Sequence, residues 1–197
     1  PDLSGESITI HYFCDTSSEL AAFNFSQLWA AQDLLAAINT AGGVFGAELE
    51  LSVVDTEGSP EGAQSAYERL ATRRQLPKII IACDAATELA LAPLVEEDDI
   101  PTLGPGLAPL GDYTDPGGAL FAYRVPVDVQ FTGWLNYLIA NWDAIRPQGA
   151  GDQIRLALVA WPAEQGGALD LEAAEEYASG LGIEIVPTLL RFEAGRE

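Results

Sequence analysis

The sequence predicts an α/β fold built on a doubly wound, mostly parallel sheet. Apolar segments alternate with amphipathic segments from one end of the chain to the other, which is typical of parallel strands connected by helices. The 197 residues are 48% hydrophobic and only 20% charged, a composition that can bury a core. We therefore expect a folded α/β protein rather than a disordered acidic chain.

The first predicted strand covers residues 7–13, and a loop of small polar residues follows it at 14–18. The next segment is a predicted helix that ends at Gly42 and Gly43. Four apolar residues share one face of this helix: Leu28, Ala31, Leu35 and Ile38.

A second strand at residues 48–54 and a turn at 55–60 lead into a second helix. Its apolar residues recur at helical spacing, at positions 63, 66, 67 and 70. Arg69, Arg73 and Arg74 suit the carboxyl end of this helix, because cations are favoured there.

The continuous apolar run at residues 78–82 predicts a central strand that is buried on both faces. A helix at 89–95, a strand at 100–103 and a long loop at 104–118 rich in Gly and Pro come next. The remaining predicted elements are an extended segment at 119–125, a helix at 128–142, a break at 147–151, a strand at 154–161, a helix at 169–181 and a strand at 183–190.

The charge balance excludes nucleic acid and anionic membrane surfaces as partners. The chain has 30 Asp and Glu against 9 Lys and Arg, a formal charge of -21, and no basic stripe that could bind phosphates. No apolar run approaches the roughly 20 residues of a membrane helix, so we expect no direct membrane insertion of this segment. A chain that starts at Pro1 and contains no Met is compatible with a removed leader.

No catalytic constellation or metal site is predicted. His11 is the only histidine and lies within a predicted strand, where a packed or partly exposed role is expected. The acidic run at residues 96–99 lies at a helix end, where a solvated surface is the expected state. Gly104 and Gly106 begin a pattern like a dinucleotide fingerprint, but Pro105 and Pro109 prevent a helix from starting there. We expect no cofactor.

A ligand site is predicted at the carboxyl ends of the strands, where open α/β sheets place their ligands. The loops concerned cover residues 14–23, 83–87 and 104–108. Ser17, Ser18 and Thr87 are candidate side-chain donors, and the helix N-termini are candidate backbone donors to an anion such as a carboxylate. The alternative, that these are ordinary turn and capping residues, has equal weight.

The order of several segments resembles periplasmic solute-binding proteins of the leucine/isoleucine/valine-binding type. The most specific segment is the run Ile38-Asn39-Thr40-Ala41-Gly42-Gly43-Val44-Phe45-Gly46. The other matching segments, in family order, are 53–55, 59–63, 90–94, 100–101, 121–128 and 154–159. The resemblance covers nearly the whole chain.

The resemblance implies two Rossmann-like lobes joined by a hinge that close on a small ligand, without catalysis. It predicts a first lobe at residues 1–125 and the first part of a second, incomplete lobe at 126–197, with the first crossing near 124–127. The implied function is an extracytoplasmic solute-binding protein of an ABC importer that binds an amino-acid-like or amide-like ligand. The implied partners are this ligand and the membrane subunits of the transporter, and the implied location is periplasmic or extracellular, with a lipid anchor on a removed N-terminal segment as an option.

The resemblance also assigns ligand positions in the first lobe. The family holds the amino-acid backbone with a serine after the third strand, and Ala85 or Ala86 stands at that position. It also uses an Ala-x-Thr after the fourth strand, where this chain has Gly106-Leu107-Ala108. Because these hydroxyls are missing, backbone amides, Asp84 or Thr87 would have to substitute for them.

Three aromatic or amide positions complete the implied site. Phe23 falls where the family has an aromatic ring beside the ligand. Gln165 falls where the family has a tyrosine in the second lobe, and Trp161 is expected nearby.

The two cysteines end strands that are neighbours in this doubly wound order. Cys14 ends the first strand and Cys83 ends the third, so their sulfur atoms could come within bonding distance. A Cys14–Cys83 disulfide is therefore predicted, with two buried thiols as the alternative. A bridge would fit an extracytoplasmic location.

A second function stays open beside solute transport. The same fold could serve as a ligand sensor or protein-interaction module with a degenerate amino-acid site, and the missing hydroxyls favour this alternative. The charge of -21 would steer it towards a cationic partner or a saline setting. A flavodoxin-like enzyme is a distant third option, because no catalytic constellation is visible.

Overall fold

The computed structural model describes residues 1–19, 21–107, 113, 117–160, 169–186 and 190–191. The chain divides into two compact units, Pro1–Tyr123 and Arg124–Glu197. None of the helices within these described ranges combines the length and apolar character that crossing a bilayer requires.

The first unit contains a five-stranded parallel sheet, which confirms the predicted fold class. Its strands are β1 (Ser7–Cys14), β2 (Glu48–Asp55), β3 (Ile80–Ala82), β4 (Thr102–Gly104) and β5 (Leu120–Ala122). Their order is β2-β1-β3-β4-β5, and every neighbouring pair is parallel. All carboxyl ends therefore lie at one edge of the sheet, with β1 between β2 and β3.

Three helices of the first unit connect these strands. They are α1 (Ala22–Thr40), α2 (Pro60–Thr72) and α3 (Ala85–Glu97). The helix α3 begins four residues before the predicted start at Leu89, because the Asp84 side chain caps its first turn. The sequence pattern places Ala85, Ala86 and Thr87 in a loop. In the structure these three residues belong to the first turn of α3.

The core of the first unit has two sides, because alternate residues of β1 point to opposite faces of the sheet. Phe13 packs with residues of α2 and α3, including Tyr67 and Leu91. Tyr12 and Cys14 pack on the other side with Leu28 of α1 and with Cys83.

The second unit contains shorter elements. They are α4 (Val127–Ile145), β6 (Arg155–Leu156), β7 (Val159–Ala160), α5 (Leu171–Gly180), β8 (Glu184–Ile185) and β9 (Leu190–Arg191). The strands form two parallel pairs, β6 with β8 and β7 with β9. Leu135 of α4 and Ala178 of α5 are completely buried in the core of this unit.

Candidate functional site

Four loops meet at the carboxyl edge of the first sheet, and four carboxylates lie among them. Asp15 follows β1, Asp55 ends β2, Asp84 follows β3, and Glu88 lies in the first turn of α3. Asp15 and Glu88 are buried, while Asp55 and Asp84 are partly exposed. Each of these carboxylates accepts hydrogen bonds from the backbone of the surrounding loops.

Asp15 organises the loop after β1. Its carboxylate accepts hydrogen bonds from the backbone N–H of Ser18 at 2.9 Å and of Ser17 at 3.3 Å, and also from the Ser18 hydroxyl. Its backbone carbonyl accepts from the Asn24 side chain at 3.2 Å. The Ser18 hydroxyl, a predicted ligand donor, therefore donates to Asp15 within the same turn.

Asp55 joins the loops after β1 and β2. Its Oδ1 accepts from the backbone N–H of Thr16 at 2.9 Å and of Glu57 at 3.1 Å. Burial by itself raises the pKa of Asp55, but hydrogen bonds from the Ser17 side chain and from the Thr16 and Glu57 amides hold that pKa below the ordinary value. The Ser17 hydroxyl is therefore also engaged within the chain.

Asp84 caps α3 and engages the third predicted donor. Its carboxylate accepts from the Thr87 backbone N–H at 2.8 Å and from the Thr87 hydroxyl at 3.0 Å. The Thr87 hydroxyl also lies 3.5 Å from that of Thr56, which is fully buried. Ala85 and Ala86 bring partly exposed methyl groups to the same turn.

Glu88 is buried in the first unit and binds the loop after β4. Its carboxylate accepts from the backbone N–H of Leu107 at 2.8 Å and of Gly106 at 3.3 Å, and from the Tyr113 hydroxyl at 2.5 Å. The Glu88 side chain is completely buried. It crosses so close to Gly104 that a Cβ atom on that glycine would lie 2.2 Å from Glu88 Oε1.

The remaining predicted ligand residues lie apart from this network or outside the described residues. Phe23 lies in the first turn of α1 with 76% of its surface exposed, so its ring is available for contact. Trp161 and Gln165 lie outside the described residues.

Cys14 and Cys83 form a disulfide that joins the carboxyl ends of β1 and β3, with 5.2 Å between their Cα atoms. With Asp84 they form a group whose ligand atoms lie within 4.8 Å of one another. Bonded sulfur atoms are not the thiolates that bind metal ions, so this group does not form a metal site. Burial, together with nearby Tyr123 and Asp84, raises the pKa of Tyr12 on β1 to about 12.

The sequence reasoning missed Asp15, Asp55, Glu88 and Gly104, which organise the edge. Asp15 and Asp55 each stand at the end of a predicted strand, where a carboxylate commonly accepts from the turn that follows. No local sequence pattern indicates the role of Glu88. This residue is 18 residues from Gly106 in the chain, and only the pairing of β3 with β4 brings the two together.

Comparisons with known proteins identify a matching family and solved structures of similar fold. A family model described as periplasmic binding protein matches residues 7–190, whereas no curated protein matches the chain. The chain is similar to the solved fatty acid ABC transporter substrate-binding protein from Thermomonospora curvata, with 20% identity and a TM-score of 0.75 over 100% of this chain and 47% of the other.

Two further solved structures are similar. A branched-chain amino acid ABC transporter protein from Thermus thermophilus with bound valine has 20% identity and a TM-score of 0.76 over 98% of this chain and 47% of its own. A branched-chain amino acid substrate-binding protein from Streptococcus pneumoniae in complex with isoleucine has 20% identity and a TM-score of 0.67 over 97% and 51%. The chain therefore spans about half the length of these proteins, and at this identity the likeness concerns the fold.

Proposed function

The chain belongs to the periplasmic binding protein family, and from this membership we propose that it acts as a solute-binding protein of an ABC importer. The observation that carries the proposal is the family match over residues 7–190. The geometry supports it, because the loops after β1, β3 and β4 are held by carboxylate-to-amide hydrogen bonds and so form a preorganised edge for a ligand. The proposed role is binding without catalysis.

The proposed ligand is a small amino-acid-like or amide-like solute. The first unit would contribute Phe23 and the turns at residues 15–18, 83–87 and 105–107, and Trp161 with Gln165 are proposed further contacts. The solved relatives hold valine and isoleucine, and one is named for fatty acids. The membrane subunits of an ABC importer are the proposed protein partners, and the proposed location is periplasmic or extracellular.

A thermal-shift screen of the full-length protein tests this function. A panel of amino acids, amides, amines and carboxylates should contain at least one compound that raises the melting temperature with increasing concentration, because a ligand that binds only the folded state stabilises it. Phe23→Ala should weaken this effect. Leu34→Ala is the matched control, because Leu34 is also a well-exposed apolar residue of the same helix, with 60% of its surface accessible, and lies farther from the edge.

Absence of stabilisation by every compound would contradict solute binding and favour a second function, an interaction module on the same fold. The observation that favours this alternative is the absence of side-chain hydroxyls at Ala85, Ala86, Gly106 and Leu107. In that case a protein partner, and no small solute, should raise the melting temperature.

A further inference from the structure

We propose that Glu88 determines ligand specificity in the first unit, and that it selects solutes carrying an amine or amide group and no free carboxylate. The inference rests on the proposed function and narrows its substrate class. In the loop after β4, the Glu88 carboxylate accepts hydrogen bonds from the backbone N–H groups of Gly106 and Leu107, which could otherwise bind a ligand anion.

The contact between Glu88 and this loop lies within the buried interior of the first unit. The side chains of Glu88 and Pro105 are completely buried, and Gly106 is buried as well. Gly104 leaves the space that the carboxylate occupies, since a side chain there would overlap it. The Tyr113 hydroxyl supplies a third donor, so the carboxylate is well satisfied without any ligand.

Other backbone donors at the same edge are engaged in the same way. Carboxylates of the chain accept from the N–H groups of four residues in the loop after β1 and the first turn of α3: Thr16, Ser17, Ser18 and Thr87. An incoming carboxylate would have to displace one of these charge-assisted bonds before it gained its own. A ligand that donates hydrogen bonds needs none of these backbone amides and so displaces none of these bonds.

The charge distribution of the first unit points the same way. The sequence contains no Lys or Arg in residues 1–68 or in residues 79–123, so the loops after β1 to β4 offer no cation. Four carboxylates lie among these loops, and a ligand carboxylate would be repelled by them. An ammonium or amide N–H is attracted by the same groups, which is why we assign the amine and amide class.

Hydrogen exchange of the Gly106 and Leu107 amides tests the first step without any ligand. In the full-length protein these amides should be protected, and Glu88→Gln should speed their exchange by about tenfold or more, as expected when a charge-assisted bond is weakened. Glu96→Gln is the matched control, because Glu96 on the same helix accepts from the Ala119 amide at 2.9 Å, away from the edge. Unprotected Gly106 and Leu107 amides in the wild-type protein would overturn the inference.

Titration with L-leucine and L-leucinamide tests the second step, because the two differ only in the carboxylate. The wild-type and Glu96→Gln proteins should bind leucinamide about tenfold more tightly than leucine, and Glu88→Gln should reduce this ratio. Equal or tighter binding of leucine by the wild-type protein overturns the inference and leaves solute binding intact. Binding of neither probe also overturns it, and only the wider solute screen then decides whether solute binding itself fails.

Discussion

Gly104 and Glu88 depend on each other at the scale of single residues. Glu88 reaches the loop after β4 only because position 104 carries no side chain. A buried carboxylate is costly unless it is hydrogen-bonded, and here two amides and one hydroxyl satisfy it. The pair therefore decides both the packing of the loop and the donors that the loop can offer.

Gly104→Ala should lower the free energy of unfolding by about 2–3 kcal/mol, because the added methyl group forces a fully buried carboxylate out of its bonds. Chemical denaturation of the full-length protein measures this loss. In a Glu88→Ala background the same substitution should cost much less, since the atom that it would strike is gone. Equal costs in the two backgrounds would show that the overlap with Glu88 is not the cause.

His11 should make stability depend on pH. Its Nδ1 is buried without a hydrogen-bond partner among the described residues, and burial lowers the pKa of His11 below its ordinary 6.5. Below pH 6.5 the unfolded chain therefore binds the proton more tightly than the folded protein does. The stabilisation due to neutral His11 is present above this pH and is lost as the pH falls through the folded pKa.

Comparison with His11→Gln isolates this effect from the many carboxylates. Between about pH 7.5 and pH 5, the free energy of unfolding of the wild type should fall relative to that of the variant. Denaturation curves at several pH values measure the difference. A difference that stays constant over this range would contradict the assigned effect.

At the scale of elements, the helices of the first unit differ in how their ends are fixed. Ser59 caps α2 and Asp84 caps α3 by accepting from the backbone N–H three residues on. The residue before α1, Ala21, makes no side-chain cap. In α1 only Leu28 and Leu35 of the predicted apolar face are buried, and Leu28 packs with Tyr12 and Cys14 of β1.

Ser59→Ala should loosen the first turn of α2. The substitution removes the acceptor for the Gly62 N–H, which lies 3.0 Å from the Ser59 hydroxyl, and loss of such a cap costs about 1 kcal/mol. Faster hydrogen exchange of the Gly62 amide measures the loss locally. Ser26→Ala on the exposed surface of α1 is the control, and it should leave stability unchanged or raise it by a few tenths of a kcal/mol.

At the scale of the whole molecule, one covalent link and a large negative charge act on the chain. The disulfide connects residues that are 69 positions apart and closes a segment that contains α1, β2, α2 and β3. It ties the two strands whose following loops carry Asp15 and Asp84. The bridge therefore lowers the conformational entropy of the unfolded chain, and it does so mainly within the first unit.

Replacing both cysteines with alanine should lower the free energy of unfolding by about 4 kcal/mol, the chain-entropy value for a closed loop of this length. Denaturation of the oxidised wild type and of the variant measures the loss. Wild-type protein reduced while unfolded and refolded with reductant should resemble the variant, on which reductant has no effect. Matching midpoints for oxidised wild type and variant would contradict a stabilising role.

Much of the fold follows from the sequence alone, because the signals concerned are local. The alternation of apolar and amphipathic segments predicts the α/β class and the order of the elements, and Gly42 and Gly43 mark the end of α1. The predicted ends of the helices and strands agree less well with the structure. The short strands β3 and β4 have three residues each, since hydrogen bonds to neighbouring strands, and not the apolar run itself, set their length.

The tertiary structure decided the chemistry of the candidate site. The sequence predicted correctly that the ends of β1, β3 and β4 lie at one edge, because parallel strands with helical connections have that consequence. It could not show that Glu88 binds the amides of Gly106 and Leu107 or that Gly104 makes room for it. These contacts join residues distant in the chain, and they exist because pairing of β3 with β4 brings α3 beside the following loop, where the buried carboxylate accepts from both amides and from the Tyr113 hydroxyl.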